Sequence, residues 1–558
     1  MAHKRHRRES GFAVILTTLS LFATVLIAGL GLDCSIIFLI QTKLQGALDA
    51  GAMAAVRTLT QNPSITNAQL VGTEFLTANF PAGFMGAKQV VATDYGTISV
   101  TPVKYDGLTP GTAGTSAVAK LVDAKAHVLA PLYFLSVTGS NWVPVGAIAQ
   151  AKREGMLIML VMDGSYSMWT HSFTANSQTK NACQWAGYYA HQFLGYGQFD
   201  PDIDRIGMVA FGGQTYTVAP TSNFQTWNGS AYVLNTTTNA VYTALTDYYT
   251  ANNANDTDDS SARSDDPGCG GNTNTMEGLQ AAYVAMQNFY ILEKTNGYAS
   301  CNTCRNRADI VVMMTDGAPN GMTNDWYPYR NDSCAPVPAT PARLVGYVAK
   351  HGETGENGIL STALNTPTND NAAMGTPNVI PTVNCQITGG TRNNDNMYNF
   401  WQDFTQVPPT NYYGDSITGA SLIYPAASVN ILAGESGYIT NYDGFYYLYC
   451  NAAEATASRL RSDLNFRVTI FTIGVFGNSL GNKYDAPNCY LMYRLSNSPQ
   501  DATLPNACTN DLPPTPFPAT YTVNKDQPQG DFVIAADASV LNVAFATVAR
   551  EISARLSK

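Results

Sequence analysis

The hydrophobic pattern of this chain falls into three regimes. Residues 11–32, "GFAVILTTLSLFATVLIAGLGL", carry no charge. At 1.5 Å per helical residue this run reaches ~33 Å, enough to cross a bilayer core. The next segment, "DCSIIFLIQTKLQGALDAGAMAAVRTL", keeps its apolar positions at helical spacing. The pattern therefore predicts one long helix over 11–60, half in a membrane and half beyond it. Residues 88–105 and 124–135 read as strands, separated by the turn-rich "DGLTPGTAGTS". With "NWVPVGAIAQAKRE" they make a small β-rich module over 61–154.

From residue 156 strand and helix patterns alternate. "MLIMLVM" (156–162) and "ADIVVMM" (308–314) are apolar throughout, as strands covered on both faces are. Further strands are read at 205–211, 467–474 and 531–536, with an edge strand at 215–220. Helices are read at 177–194, 275–292 and 452–464. Asp537 is placed to cap a last helix with an apolar stripe of Val540, Leu541, Ala544, Phe545, Val548 and Ile552. This order predicts an α/β domain over 155–558, built on a mostly parallel, doubly wound sheet. Two segments interrupt it. Residues 251–272 are polar and acidic but miss the spacing of an EF-hand loop, so they read as a solvated loop. Residues 318–451, rich in Asn, Gly, Pro and Tyr, are too long for a structureless connection and are expected to fold with disulfides.

Charge adds topology. The chain has 558 residues, more than one core sustains. Its net charge of −10, without a basic stripe, argues against nucleic-acid binding. Lys4, Arg5, Arg7 and Arg8 crowd the tail at 1–10, which places the N-terminus inside and the rest outside. A cleaved signal peptide is the alternative, but the apolar run is longer than a usual signal core. Of ten cysteines, Cys34 lies at the outer edge of the span and nine lie beyond it. In an oxidising compartment most of the nine should pair, with at least one left over. Cys301 and Cys304 form a C-x-x-C without a second such pair or paired His, which favours structural bridges over a redox or zinc site.

The candidate chemistry lies in "LIMLVMDGSYSMW" (157–169), where a buried strand ends in Asp163, Ser165 and Ser167. Open parallel sheets bind ligands beyond the carboxyl ends of their strands. Alternate residues of an extended segment point the same way, so this spacing aims three oxygens at one point. An all-oxygen cluster with few carboxylates suits a hard cation, most simply Mg²⁺, with Mn²⁺ or Ca²⁺ as substitutes. Thr273 in "GGNTNTMEGL" and Asp316 in "VVMMTDGAPNG" stand where a parallel sheet would bring them in. The plainer reading is that Asp163 and the serines only cap a loop or helix. His171 reads as a surface loop residue.

D-x-S-x-S, then T-N-T before a helix, then strand-T-D-G, resembles the metal-ion-dependent adhesion site of a von Willebrand factor A (vWA) domain, and the resemblance covers 155–558 apart from the insertions. It implies that Asp163, Ser165, Ser167, Thr273 and Asp316 hold the metal, and that an open position accepts a carboxylate from a protein partner. Many members of the family have Gly where this chain has Tyr166; with Gly317 that residue would form the rim partners meet. The N-terminal helix with "QTKLQGALDAGAMAA", and the ending "DFVIAADASVLNVAFATVAREISARLSK", resemble the TadG-like proteins of Tad (Flp) pilus assembly. Pilin-like relatives often carry Glu five positions after the processing glycine; here Leu16 follows Gly11, so cleavage is not expected.

Together these features imply a non-enzymatic pilus-assembly or scaffold protein, single-pass in a bacterial inner membrane, with its C-terminal domain periplasmic. Its partner would be an envelope or pilus-assembly protein. A surface adhesin is the alternative. A hydrolytic enzyme is the least supported: two of six histidines lie in the basic tail, and no G-x-S-x-G, H-E-x-x-H or phosphate-binding loop is present.

Overall fold

The structure is a computed structural model. It describes residues 6–88, 99–103, 119–175, 177–212, 215–250, 269, 273–293, 307–319, 321–325, 343–347, 358–361, 410–411, 413–417, 422, 442–464, 466–475, 488–499, 523–535 and 538–556. The chain divides into two units, Met1–Glu154 and Gly155–Lys558.

The first unit opens with helix α1 (His6–Gln61), which runs unbroken through the apolar segment. Its N-terminal half is long and apolar enough to cross a membrane, a signature shared by membrane spans and signal sequences. Residues 65–79, inside the stretch expected to be β-rich, instead form helix α2 (Ile65–Asn79), with Ser64 as its N-cap. The two helices approach closely at Gly51, where a Cβ would stand 2.7 Å from the Gly72 carbonyl. Strand β1 (Ser99–Val103) pairs antiparallel with β2 (Ala119–Pro131). β2 pairs antiparallel with the first part of β3 (Trp142–Asp163), Ala119 opposite Glu154 and Pro131 opposite Trp142. The second strand thus starts earlier than its hydrophobic run implied and stops at Pro131, where the chain turns. Alternation sorts the sheet: Val122, Ala124, Ala126 and Val128 face a core with Ile40, Leu44, Leu48, Ala52 and Val56 of α1. The small side chains on β2 let the helix lie close to the sheet.

The second unit is α/β. In the last part of β3, Leu157–Asp163 pair in parallel with β6 (Arg205–Phe211) on one side and Gly155–Met162 with β10 (Arg307–Thr315) on the other. β10 continues in parallel to β14 (Thr469–Val475), and β14 to β15 (Phe532–Ala535). At the other edge β7 (Thr215–Thr221) runs antiparallel to β6. The sheet order is therefore β7-β6-β3-β10-β14-β15, a mixed sheet with one antiparallel edge rather than a wholly parallel one. A small antiparallel sheet, β11 (Gly321–Asp325), β12 (Arg343–Tyr347) and β13 (Gly358–Ser361), begins the 318–451 insertion. Most of that insertion, and nearly all of 251–272, lies outside the described residues.

The unbroken apolar run of β3 is explained by its two faces. Ile158, Leu160 and Met162 join a core with α4 (Ala182–Leu194), α5 (Ala240–Thr250) and α9 (Ala538–Leu556). Leu157, Met159 and Val161 join another with α6 (Thr275–Glu293), α7 (Tyr442–Ser462) and α8 (Cys489–Ser496). Leu541, Ala544, Phe545, Val548 and Ile552 of α9 are buried, as the stripe predicts, while Val540 is only half-buried; Asp537 lies outside the described residues. The helix expected over 177–194 starts later. Gln178–Asn181 instead form strand β5, paired with β4 (Ser172–Ala175). Asn181 then caps α4, exchanging hydrogen bonds with Gln184 in a capping box.

Cys183 and Cys269 form a disulfide, and Cys489 is disulfide-bonded. Cys34 is exposed and forms none among the described residues. Cys301, Cys304, Cys334, Cys385 and Cys508 lie outside the described residues.

Candidate metal centre

The carboxyl ends of three neighbouring strands build the site. Asp163 closes β3 and pairs with Phe211 at the end of β6. Met162 of β3 pairs with Met314 of β10, so the T-D-G after Met314 lands beside D-x-S-x-S. Gly164 N–H donates to the Phe211 carbonyl at 2.6 Å, which turns the chain out of the sheet. Ser165 then stands before a one-turn helix, α3 (Tyr166–Thr170).

That geometry gathers the sequence-picked side chains. Ser165 N–H donates to Asp163 Oδ1 at 2.8 Å. The Ser165 and Ser167 hydroxyls lie 2.9 Å apart, and Ser167 Oγ donates to Asp316 Oδ1 at 2.7 Å. Thr273, ahead of α6, reaches the same place. A Cβ on Gly317 would meet Ser167 Oγ at 3.3 Å and Thr273 Oγ1 at 3.4 Å, so these two hydroxyls flank Gly317. Asp163 is fully buried, and Ser165, Thr273 and Asp316 are each 2% exposed. The Tyr166 side chain lies outside the described residues.

Three neighbours were not picked from sequence. Thr315 Oγ1 hydrogen-bonds Asp163 Oδ2. It also accepts from Gly317 N–H at 3.2 Å, so one hydroxyl fixes both the carboxylate and the turn. Its signal was present in T-D-G, but a Thr at a strand end reads as strand. Tyr248, on α5, is fully buried and donates its hydroxyl to the Asp163 carbonyl; nothing local marks a tyrosine 85 residues away. His171, read as a surface loop residue, does lie in a loop and is partly exposed, but it also meets an acid: its Nδ1 lies 3.1 Å from Asp316 Oδ2. The hairpin β4–β5 that follows, and the Ala182 N–H bond to the His171 carbonyl at 2.8 Å, hold it there.

Electrostatics set the character of the site. Burial, and then the neighbouring Asp316, push the Asp163 carboxyl up to about 7. Neither carboxylate is paired with Lys or Arg among the described residues. Burial and the two carboxylates likewise hold the Tyr248 hydroxyl well above its ordinary range, so it stays a donor. Among the described residues no three His, Cys, Asp or Glu side chains gather as a group. The cluster instead offers two carboxylates and three hydroxyls, a hard-oxygen set with a charge excess a divalent cation would offset.

Two expectations follow from this geometry. In EDTA, stability should fall as pH rises from about 4 to about 7, because the unfolded Asp163 carboxyl releases its proton near 4 while the folded one holds it to about 7. Mg²⁺ should restore the loss at the upper end. Melting curves across that range read it directly, and a flat profile would contradict it. Tyr248→Phe should cost about 1–3 kcal/mol, the penalty for leaving the buried Asp163 carbonyl without its donor; urea unfolding beside the parent chain measures it.

No family model matches this chain, and no curated protein does. Three solved structures overlap it weakly. The PilB minor pilin from Streptococcus sanguinis is 9% identical, with 82% of this chain and 79% of that one covered, at a TM-score of 0.31. The pilus adhesin SpaC from Lactobacillus rhamnosus GG is 9% identical over 84% of this chain and 36% of that one, at 0.32. The vWF domain of the type V pili tip protein Mfa5 from Porphyromonas gingivalis is 14% identical over 73% and 97%, at 0.28. Overlaps at this level do not establish a shared fold.

Proposed function

We propose that residues 155–558 form a vWA-type domain. In this reading Asp163, Ser165, Ser167, Thr273 and Asp316 hold one divalent cation, Mg²⁺ or Mn²⁺, and the domain captures a protein partner through it. α1 anchors the chain in a bacterial inner membrane, where it serves as a scaffold in pilus assembly. The observation that carries the reading is Ser167 Oγ. It lies 2.9 Å from Ser165 Oγ and 2.7 Å from Asp316 Oδ1, and so joins two segments 149 residues apart into one oxygen cluster. Capping of α3 alone does not require Asp316. Bound there, the cation would offer an open position to a carboxylate of the partner. In this reading Tyr166 and Gly317 would form the rim that the partner meets.

Calorimetry of the full chain in detergent with Mg²⁺ tests the centre: one saturable site is expected, and no binding heat for Mg²⁺ or Mn²⁺ would overturn it. Capture of envelope proteins with and without EDTA tests the partner, which should be lost with the metal. The adhesin reading uses the same centre; surface labelling of intact cells would favour it, retention in the inner membrane the scaffold.

A further inference from the structure

The turn joining β2 to β3 carries an apolar surface that the proposed metal centre does not use. Tyr133 is 56% exposed, Phe134 42% and Val137 74%. The turn is fixed against α1. Asp33 is fully buried, and its carboxylate accepts the N–H groups of Tyr133 at 3.0 Å, Phe134 at 3.0 Å and Leu135 at 2.7 Å. One helical turn earlier, the Phe134 ring occupies the space a Cβ on Gly29 would need. Ser136 Oγ closes the turn on the Tyr133 carbonyl at 2.9 Å.

The depth of this clamp follows from helix geometry. A bilayer core of ~30 Å takes ~20 helical residues. Counted from Gly11, it ends near residue 31, between Gly29 and Asp33. The helix surface stays apolar beyond the clamp, where Phe38 is 66% and Leu39 50% exposed. A carboxylate at that depth is costly unless its oxygens are satisfied. Here three peptide N–H groups satisfy it, and the turn covers it. Tyrosine with other aromatic side chains at the end of a span is the pattern of an interfacial belt.

From this we infer that the β2–β3 turn is a second membrane contact, with Tyr133, Phe134 and Val137 seated in the boundary of the leaflet from which α1 emerges. The inference rests on reading α1 as a membrane span. Together with the helix, the seated turn would give the first unit two points of attachment, which limits its rotation about the helix axis.

Spin labels on the full chain in phosphatidylcholine nanodiscs test it, in a Cys34→Ser background whose own labelling is the blank. One label goes at Val137→Cys, one at Phe22→Cys in the apolar run, and one at Thr226→Cys, exposed on strand β8 (Gln225–Trp227) of the second unit. Collision with oxygen reports lipid, and collision with a water-soluble nickel chelate reports water. Val137→Cys should resemble Phe22→Cys, with oxygen favoured several-fold over nickel, while Thr226→Cys favours nickel. A water-like Val137→Cys beside a lipid-like Phe22→Cys would overturn the inference and leave the span intact. A water-like Phe22→Cys would remove the span and the inference together. A Val137→Cys label shielded from both reagents would mean that protein covers the turn, which also overturns it.

Discussion

Asp163→Ala should abolish divalent-cation binding and metal-dependent partner capture while leaving the chain folded. The residue supplies one of the two carboxylates in the cluster, and its side chain is held by Ser165 N–H and by Thr315 Oγ1. No other carboxylate among the neighbours described can replace it. The fold should tolerate the loss, because the Asp163 carbonyl still accepts from Tyr248 and the β3–β6 register does not depend on the side chain. Removing a group that burial and Asp316 hold up to about 7 also removes a charge the metal-free fold disfavours above that pH. The metal-free variant should therefore melt no lower than the parent chain at pH 8. Thr315→Val supplies a graded comparison. It keeps Asp163 but removes the hydroxyl that orients it, and loss of such an outer hydrogen bond weakens metal binding by about 10–100-fold. Calorimetry with Mg²⁺, alongside melting curves, reads both variants. Unchanged affinity in Asp163→Ala would overturn the proposed ligand set, and so would a loss in Thr315→Val exceeding that in Asp163→Ala.

The sequence made the strands of the second unit legible because their burial is two-sided. No polar residue interrupts 156–162, and the structure sends alternate residues of that run to opposite cores. The α9 stripe was legible for the opposite reason, since a helix with one buried face repeats it at fixed spacing. Asp163, Ser165, Ser167, Thr273 and Asp316 were legible as a motif; Asp163, the serines and Asp316 come together because β3 and β10 are neighbours in register, and Thr273 is brought in ahead of α6. Which strands would be neighbours was not written locally. Pairing between strands adjacent in sequence makes β6–β7 antiparallel and turns Gln178–Asn181 from helix into hairpin, since β4 lies only a short turn away. α2 was hidden in a polar, Thr- and Asn-containing segment whose helicity depends on packing against α1. Thr315, Tyr248 and His171 acquire their roles only through contacts across the fold, so no spacing rule finds them.

The disulfide should matter both to stability and to the centre. Cys183 and Cys269 are separated by 86 residues, and that loop holds β6, β7 and α5 with Tyr248. In the chain-entropy account, closing a loop of this size stabilises the folded state by about 4–5 kcal/mol. The bond also fixes a position: Cys269 is buried four residues before Thr273, while Cys183 is buried near the start of α4. It therefore tethers the segment that delivers Thr273 to a helix packed under the sheet. The double variant Cys183→Ala, Cys269→Ala avoids leaving a reactive thiol. It should lose roughly 3–5 kcal/mol in urea unfolding, and its Mg²⁺ affinity should fall while Asp163 and Asp316 stay in place. A stability loss under about 1 kcal/mol would show that the unfolded loop is already restricted. Full stability loss with unchanged Mg²⁺ affinity would show instead that the packing of α6, and not the tether, positions Thr273.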